Sequence, residues 1–211
     1  MGANVNTVKT QVFEIIKKNQ SGGYIKTSDF NNYAKLEQLS FYNEVLGVSE
    51  SSQQTMDIAD ELKVSVNLFP NSSNLVTKPS DYMQLQSITG RVYLNQTQSK
   101  LVQFQVMGQS EADASEVSGF SRASAKYPIA VVNADTVEIK PYSVFSSVKF
   151  NYYRLPLDPI WGFTVSSNRE VYDSSTSVDF DIPEQNTERI VQGIVRRFGF
   201  SIGNEALVNY K

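Results

Sequence analysis

Apolar residues change their spacing near residue 62, and that change constrains the fold more than any other feature of the chain. Before it they recur every three or four positions, the period of a helix. From Val64 they recur every two, the period of a strand. Val5, Val8, Val12 and Ile15 form one stripe, widened by Phe13 and Ile16, which predicts a helix over 4–18. Asn4 can cap its start, and Lys17 and Lys18 suit the negative end of its dipole. Ser21–Gly22–Gly23 breaks it. A second helix is expected over 29–46, capped by Thr27, Ser28 or Asp29, with Leu36, Leu39, Tyr42 and Leu46 inward and Gly47 beyond its end. A shorter helical turn follows over 51–62, with Met56, Ala59 and Leu62 inward.

Beyond that point the stretch VSVNLF (64–69) alternates, and further strands are expected over 83–94, 100–107, 129–133, 136–140 and 146–154. SITGRVYLN and KLVQFQVM can pair across Gln96–Ser99, and 129–154 suggests a meander or a hairpin pair. Between them SEADASEV predicts a short helix with Ser110 as N-cap and Asp113 at N3. Residues 166–178 are polar and loop-like. Pro183 can open a last main helix. Its apolar face is Ile190, Val191, Ile194, Val195 and Phe198, and its polar face is Glu188, Arg189, Gln192, Arg196 and Arg197. Gly199 or Gly203 ends it, and NEALVNY makes a final short helix. The expected class is α+β, with an N-terminal helical hairpin, a central antiparallel β-rich part and a C-terminal amphipathic helix. The organisation read from this is 1–62 helical, 63–165 β-rich and 166–211 loop plus helices, folding as one cooperative unit.

Composition narrows the chemistry. The chain has no histidine and no cysteine, so the commonest general base, thiolate nucleophiles and disulfides are absent. The formal charge is −3 over 211 residues, with no basic excess to wrap nucleic acid. No apolar run approaches the ~18 residues a membrane span needs. The N-terminus mixes charges and lacks an apolar core, so it does not read as a signal peptide. Synthesis in a cytoplasm, without a membrane partner, is the expectation.

Carboxylate groups are the remaining catalytic candidates. Glu111, Asp113 and Glu116 lie near Arg122, but on a short helix they read as a capping group and a solvated face rather than as two acids across a cleft. Asp173, Asp179, Asp181 and Glu184 lack the spacing of a calcium loop and read as helix-start carboxylates. Serines have no GxSxG setting, and no phosphate-binding glycine loop occurs. The expectation is a non-enzyme with no cofactor and no metal.

One stretch stands apart. VKFNYYRLPLDPIWGF (148–163) is a strand halted by Pro156 and Pro159 and followed by the single tryptophan, Trp161. Arg154 and Trp161 are expected to anchor the extended segment after the strand, either on the subunit's own core, the favoured place for Trp161, or on a neighbouring subunit. Together with Tyr172, Arg196 and Arg197 they form the candidate interface, since Tyr, Trp and Arg are the side chains enriched at interfaces. Arg196 and Arg197 are read as facing solvent or pairing with acids of a neighbouring subunit.

Over 100–211 the succession SEADASEVSGFSRASAKYP, a short strand pair, VKFNYYRLPLDP and FDIPEQNTERIVQGIVRRFGFSIGNEALVNYK resembles small virion structural proteins of tailed bacteriophages. The similarity is to the ring or head-to-tail adaptor proteins of crAss-like podophages. The resemblance implies a homo-oligomer, a dodecameric ring between the portal protein and other tail ring proteins. DNA would pass through it without sequence-specific binding, and the copy would reside in the virion after synthesis in the host cytoplasm. Two other readings compete. A carbohydrate-binding or adhesin-like module would expose its Tyr and Trp as sugar platforms. A carboxylate-dependent virion hydrolase would need two acids converging in a cleft.

Overall fold

The computed structural model describes the chain except residues 1, 20–25, 48–52, 94–98, 119–120, 143, 204 and 211. Helices and antiparallel sheets are both present, which is the α+β class the periodicities predict. The chain divides into two compact units: Leu62–Leu155, and Met1–Glu61 together with Pro156–Lys211. Residues 156–165, grouped by sequence with the β-rich part, thus cluster with the helices.

The discontinuous unit is built around a long helix, α5. Helices α1 (Val5–Asn19), α2 (Thr27–Gly47) and α3 (Gln53–Asp60) come from the first segment. A hairpin of β9 (Phe163–Ser166) and β10 (Arg169–Tyr172), then α5 (Thr187–Ile202) and α6 (Glu205–Val208), come from the second. α1, α2 and α6 each pack along α5. The apolar face of α5 is as expected: Ile190, Val191, Ile194, Val195 and Phe198 are all buried. Each such side chain contributes roughly 1.5–3 kcal/mol by leaving water. Gly193 allows the close approach of α2, because a Cβ there would sit 2.1 Å from the Glu37 carboxylate carbon.

Sequence spacing placed the inward face of α2 in part: Tyr42 and Leu46 are buried as expected. Leu36 is exposed, and the buried side is Phe30, Ala34, Gln38, Phe41, Tyr42, Val45 and Leu46. Gln38 is buried because it is used: its amide donates to the Leu157 carbonyl (2.6 Å) and accepts from the Asp181 amide (2.9 Å). In α3 Ala59 is buried as expected, Ile58 joins it, and Met56 points outward; Leu62 is buried as well. α1 starts as predicted, with Asn4 Oδ1 accepting from the amides of Asn6 and Thr7, both at 3.1 Å. The break at residues 21–23 lies outside the described residues, as do the side chains of Lys17 and Lys18.

The second unit is a β-sandwich. One sheet has the order β1-β8-β3-β4: β1 (Lys63–Leu68), β8 (Val148–Arg154), β3 (Tyr82–Tyr93) and β4 (Ser99–Gln103). The other has the order β2-β7-β6-β5: β2 (Leu75–Thr77), β7 (Thr136–Lys140), β6 (Ile129–Val132) and β5 (Gln105–Met107). Ile88, Phe150, Tyr152 and Val148 of the first sheet share one core with Val76, Val137, Ile139 and Ala130 of the second. β3 and β4 pair as expected, with Thr89 opposite Gln103 and Tyr93 opposite Ser99. The run expected as one strand over 100–107 is two, because buried Phe104 carries the chain from one sheet to the other. β6 and β7 form the expected hairpin, but β8 leaves that sheet to lie between β1 and β3.

β5 and β6 are parallel and joined through α4 (Gln109–Val117), whose Ala112 packs with Ile129 and Val131. The cap of α4 falls at Gly108 rather than Ser110, and Glu111 rather than Asp113 occupies N3 and accepts from the Gly108 amide (3.4 Å). α4 therefore covers part of the outer side of the second sheet. The first sheet's outer side has no helix of this unit over it.

Candidate functional site

Trp161 marks the site because its surroundings gather the most chemistry. It is 7% exposed, in the body of its own unit, as expected of an anchor. Its backbone amide donates to Asn31 Oδ1 (2.9 Å) and its indole Nε1 donates to Asn6 Oδ1 (2.9 Å), so both N–H groups are satisfied away from water. Phe163 stacks against its ring at 5.9 Å between centroids, and Tyr172 lies at 5.8 Å.

Lys9 of α1 sits over the indole ring. Its Nζ is 3.0 Å from the Trp161 ring centroid, 5.1 Å from that of Phe13 and 5.9 Å from that of Phe30. The ammonium also donates to Thr27 Oγ1 (2.8 Å), whose own hydroxyl donates to Glu170 of β10. This is a cation held by aromatic faces and one hydroxyl, 6% exposed. Burial lowers the Lys9 pKa to about 8, against the opposing pull of the Glu170 carboxylate. A cleft of about 710 Å³ opens beside these groups, lined by Asn6, Lys9, Trp161, Val165, Arg169 and Glu170 among others. The arrangement binds α1, α2 and the β9–β10 hairpin to one indole. Among the described residues that line the cleft, Glu170 is the single carboxylate, which does not make the acid pair of a glycosidase.

The other candidate residues lie apart from this cluster, except Tyr172. Arg154 Nη1 donates to the Leu155 carbonyl (3.1 Å) at the end of β8. Arg196 Nε donates to the Tyr210 carbonyl (2.9 Å) and Arg197 Nε to Glu37 Oε2 (2.7 Å). Sequence reading sent both arginines to solvent or to a neighbour, whereas the fold supplies their partners from the same unit. The reason is that α2 and the C-terminal segment flank the polar side of α5, which a helical wheel cannot show.

The acidic groups resolve into local roles. Asp179 Oδ1 accepts from the Val5 amide (2.9 Å) at the start of α1, where the helix dipole favours a carboxylate. Asp181 Oδ2 accepts from the Leu157 amide (2.8 Å), and Asp173 closes a turn by accepting from the Ser175 amide (2.9 Å). Hydrogen bonds from Ser175 hold the exposed Asp173 carboxyl below its ordinary pKa. Glu116 pairs with the buried Lys140 ammonium (2.8 Å). No cluster of three or more carboxylates suited to a metal occurs among the described residues. No helix among the described residues is long and apolar enough to cross a membrane.

Sequence reasoning missed Lys9, Asn6 and Asn31 as partners of Trp161, and Thr27 and Glu170 in the chain of hydrogen bonds behind Lys9. One signal was present: Lys9 stands four residues after Val5 and three before Val12, inside the apolar stripe, where a cation requires a partner. Compared with protein-family models and with curated proteins, the chain matches none.

Proposed function

We propose that the protein is a non-enzymatic structural subunit of a tailed-phage virion, one copy in a closed ring of the head-to-tail connector. The observation that carries this reading, beside the resemblance over 100–211, is a set of exposed apolar side chains on one segment, with Phe163 and Val165 on one face of its hairpin and Val171 on the other. Leu157, Ile160, Phe163, Val165 and Val171 are all exposed, Val165 at 68%. They lie on the proline segment and on a two-stranded hairpin with exposed residues along almost its whole length. Such a hairpin is marginal in water by itself, and exposed apolar surface of this kind marks a protein contact. A ring needs a contact in which two different faces meet head to tail and close, and an exposed apolar segment of this kind supplies material for such a contact.

The sugar-platform alternative draws no support from Trp161, which is buried. The hydrolase alternative draws none from the cleft, which holds one carboxylate among the described residues.

The test is sedimentation of the native protein from its source lysate. Co-sedimentation with DNA-filled particles at a fixed stoichiometry, about a dozen copies on the resemblance to connector rings, is the expected result. Val165→Asp with Val171→Asp should leave the chain folded and remove it from the particles. A free, low-mass species at every stage of the culture would overturn the proposal.

A further inference from the structure

The chain is acidic as a whole, yet one sheet is not. Strands β1, β8, β3 and β4 contain no Asp or Glu, and of their cations Lys63, Arg91 and Lys149 alternate with the core positions, whereas Lys100 (opposite Val92) and Arg154 (opposite Tyr82) share the parity of the core side. Their inward side chains are the sandwich core, so the alternate positions form the outer face. Across that face Asn67, Lys149, Thr89 and Gln103 stand in one row, and Arg91 stands opposite Leu101 in the next. Arg91 and Lys149 are exposed. As diagonal neighbours on adjacent strands their backbones lie roughly 7–8 Å apart. Neither they nor Lys100 form an ion pair among the described residues.

Neutral donors complete the face. Asn151 Nδ2 donates to Ser87 Oγ (2.9 Å), and Ser65 Oγ hydrogen-bonds to Asn151 Oδ1, so a hydroxyl–amide ladder crosses three strands. A shallow trough of about 600 Å³ runs over the same surface, lined by Asn67, Arg91, Lys149 and Asn151 with Phe69 and Leu101 at its rim, and without an acidic residue.

We infer that this outer face is a docking surface for the phosphate backbone of duplex DNA. Charge complementarity carries the assignment. Arg, Lys, Ser, Thr, Asn and Gln are the side chains that bond phosphate oxygens, and they occupy the face with no carboxylate to repel them. No base-reading element projects from a flat sheet, so the contact is indifferent to sequence. The inference deepens the connector reading by naming the surface that the passing DNA meets, and it rests on that reading for the source of the DNA.

The experiment titrates the full chain into a fluorescein-labelled 30-base-pair duplex and reads anisotropy at 50 and 200 mM salt. Binding should weaken with salt, with a log–log slope of about −2 to −3 if two or three phosphates are neutralised. Arg91→Ser with Lys149→Ser should bind about tenfold more weakly at 50 mM salt and reduce the slope by about two. Lys26→Ser with Lys35→Ser, exposed cations of the other unit, should bind as the unaltered chain does. An unchanged melting temperature shows that each variant is folded. Absence of salt-dependent binding, an Arg91/Lys149 variant that binds normally, or equal affinity for polyglutamate would overturn the inference. Particle incorporation is read separately. An unaltered chain that enters particles but does not bind DNA overturns only the assignment of this face, whereas DNA binding by a chain that never enters particles overturns only the connector reading.

Discussion

Lys9 shows how much one residue can hold. Its ammonium is buried under an indole, and its stem passes between helices, so both charge and volume matter. Lys9→Ala should leave a void beneath Trp161 and lower stability by about 2 kcal/mol in denaturant titration. Lys9→Met keeps the volume and removes the cost of burying charge, and should melt no lower than the unaltered chain at pH 7. The sign of the pH effect follows from the direction of the shift. The folded-state pKa is about 8 against an ordinary 10.5, so between these values the unfolded chain binds more protons than the folded one. Stability therefore rises with pH through this window, and the rise should be smaller in Lys9→Met. The residue was readable in part. A lysine in an apolar stripe announces a partner, but Trp161 and Glu170 are far along the chain, and only the fold brings them together.

At the scale of elements, legibility followed periodicity. α1 and α5 were read almost whole because a single face of each meets the core. α2 was found with Tyr42 and Leu46 on the buried side, but it also buries a glutamine for its hydrogen bonds and leaves Leu36 outside. β10 and the hairpin turn fell within 166–178, read as loop, because the strand is short and exposed along almost its whole length. The turn also hides. Ser167 and Asn168 both take positive φ, 52° and 58°, as a mirror-image hairpin turn demands, but without the Asn-Gly pair that usually signals it. Ser167→Asn with Asn168→Gly should relieve that conformation and raise stability by roughly 0.5–1 kcal/mol, measured by thermal unfolding. If the melting temperature falls, the turn is not strained in the sense used here.

The whole molecule was less readable than its parts. Net charge averages a basic sheet with acidic surroundings, so a total of −3 conceals a face without a carboxylate. Linear order likewise suggested three consecutive parts. The chain instead leaves one unit at residue 61, builds the sandwich and returns at 156. The sandwich closes on itself: the Arg154 amide donates to the Leu62 carbonyl at 2.9 Å, and β1 and β8 are antiparallel neighbours. Residues 62–155 expressed alone should therefore fold and unfold cooperatively, checked by circular dichroism and amide exchange. A molten fragment would mean that the sandwich depends on the rest of the chain.

That adjacency also sets how the chain answers a mechanical load. A pull on the two termini acts first on the unit that contains both of them. Once that unit yields, tension reaches the sandwich at Leu62 and Leu155, which sit at the same end of the β1–β8 pair. The strands are then peeled apart one hydrogen bond at a time instead of being sheared all together. The sandwich is shielded while its host stands and opens at low force once its host is gone.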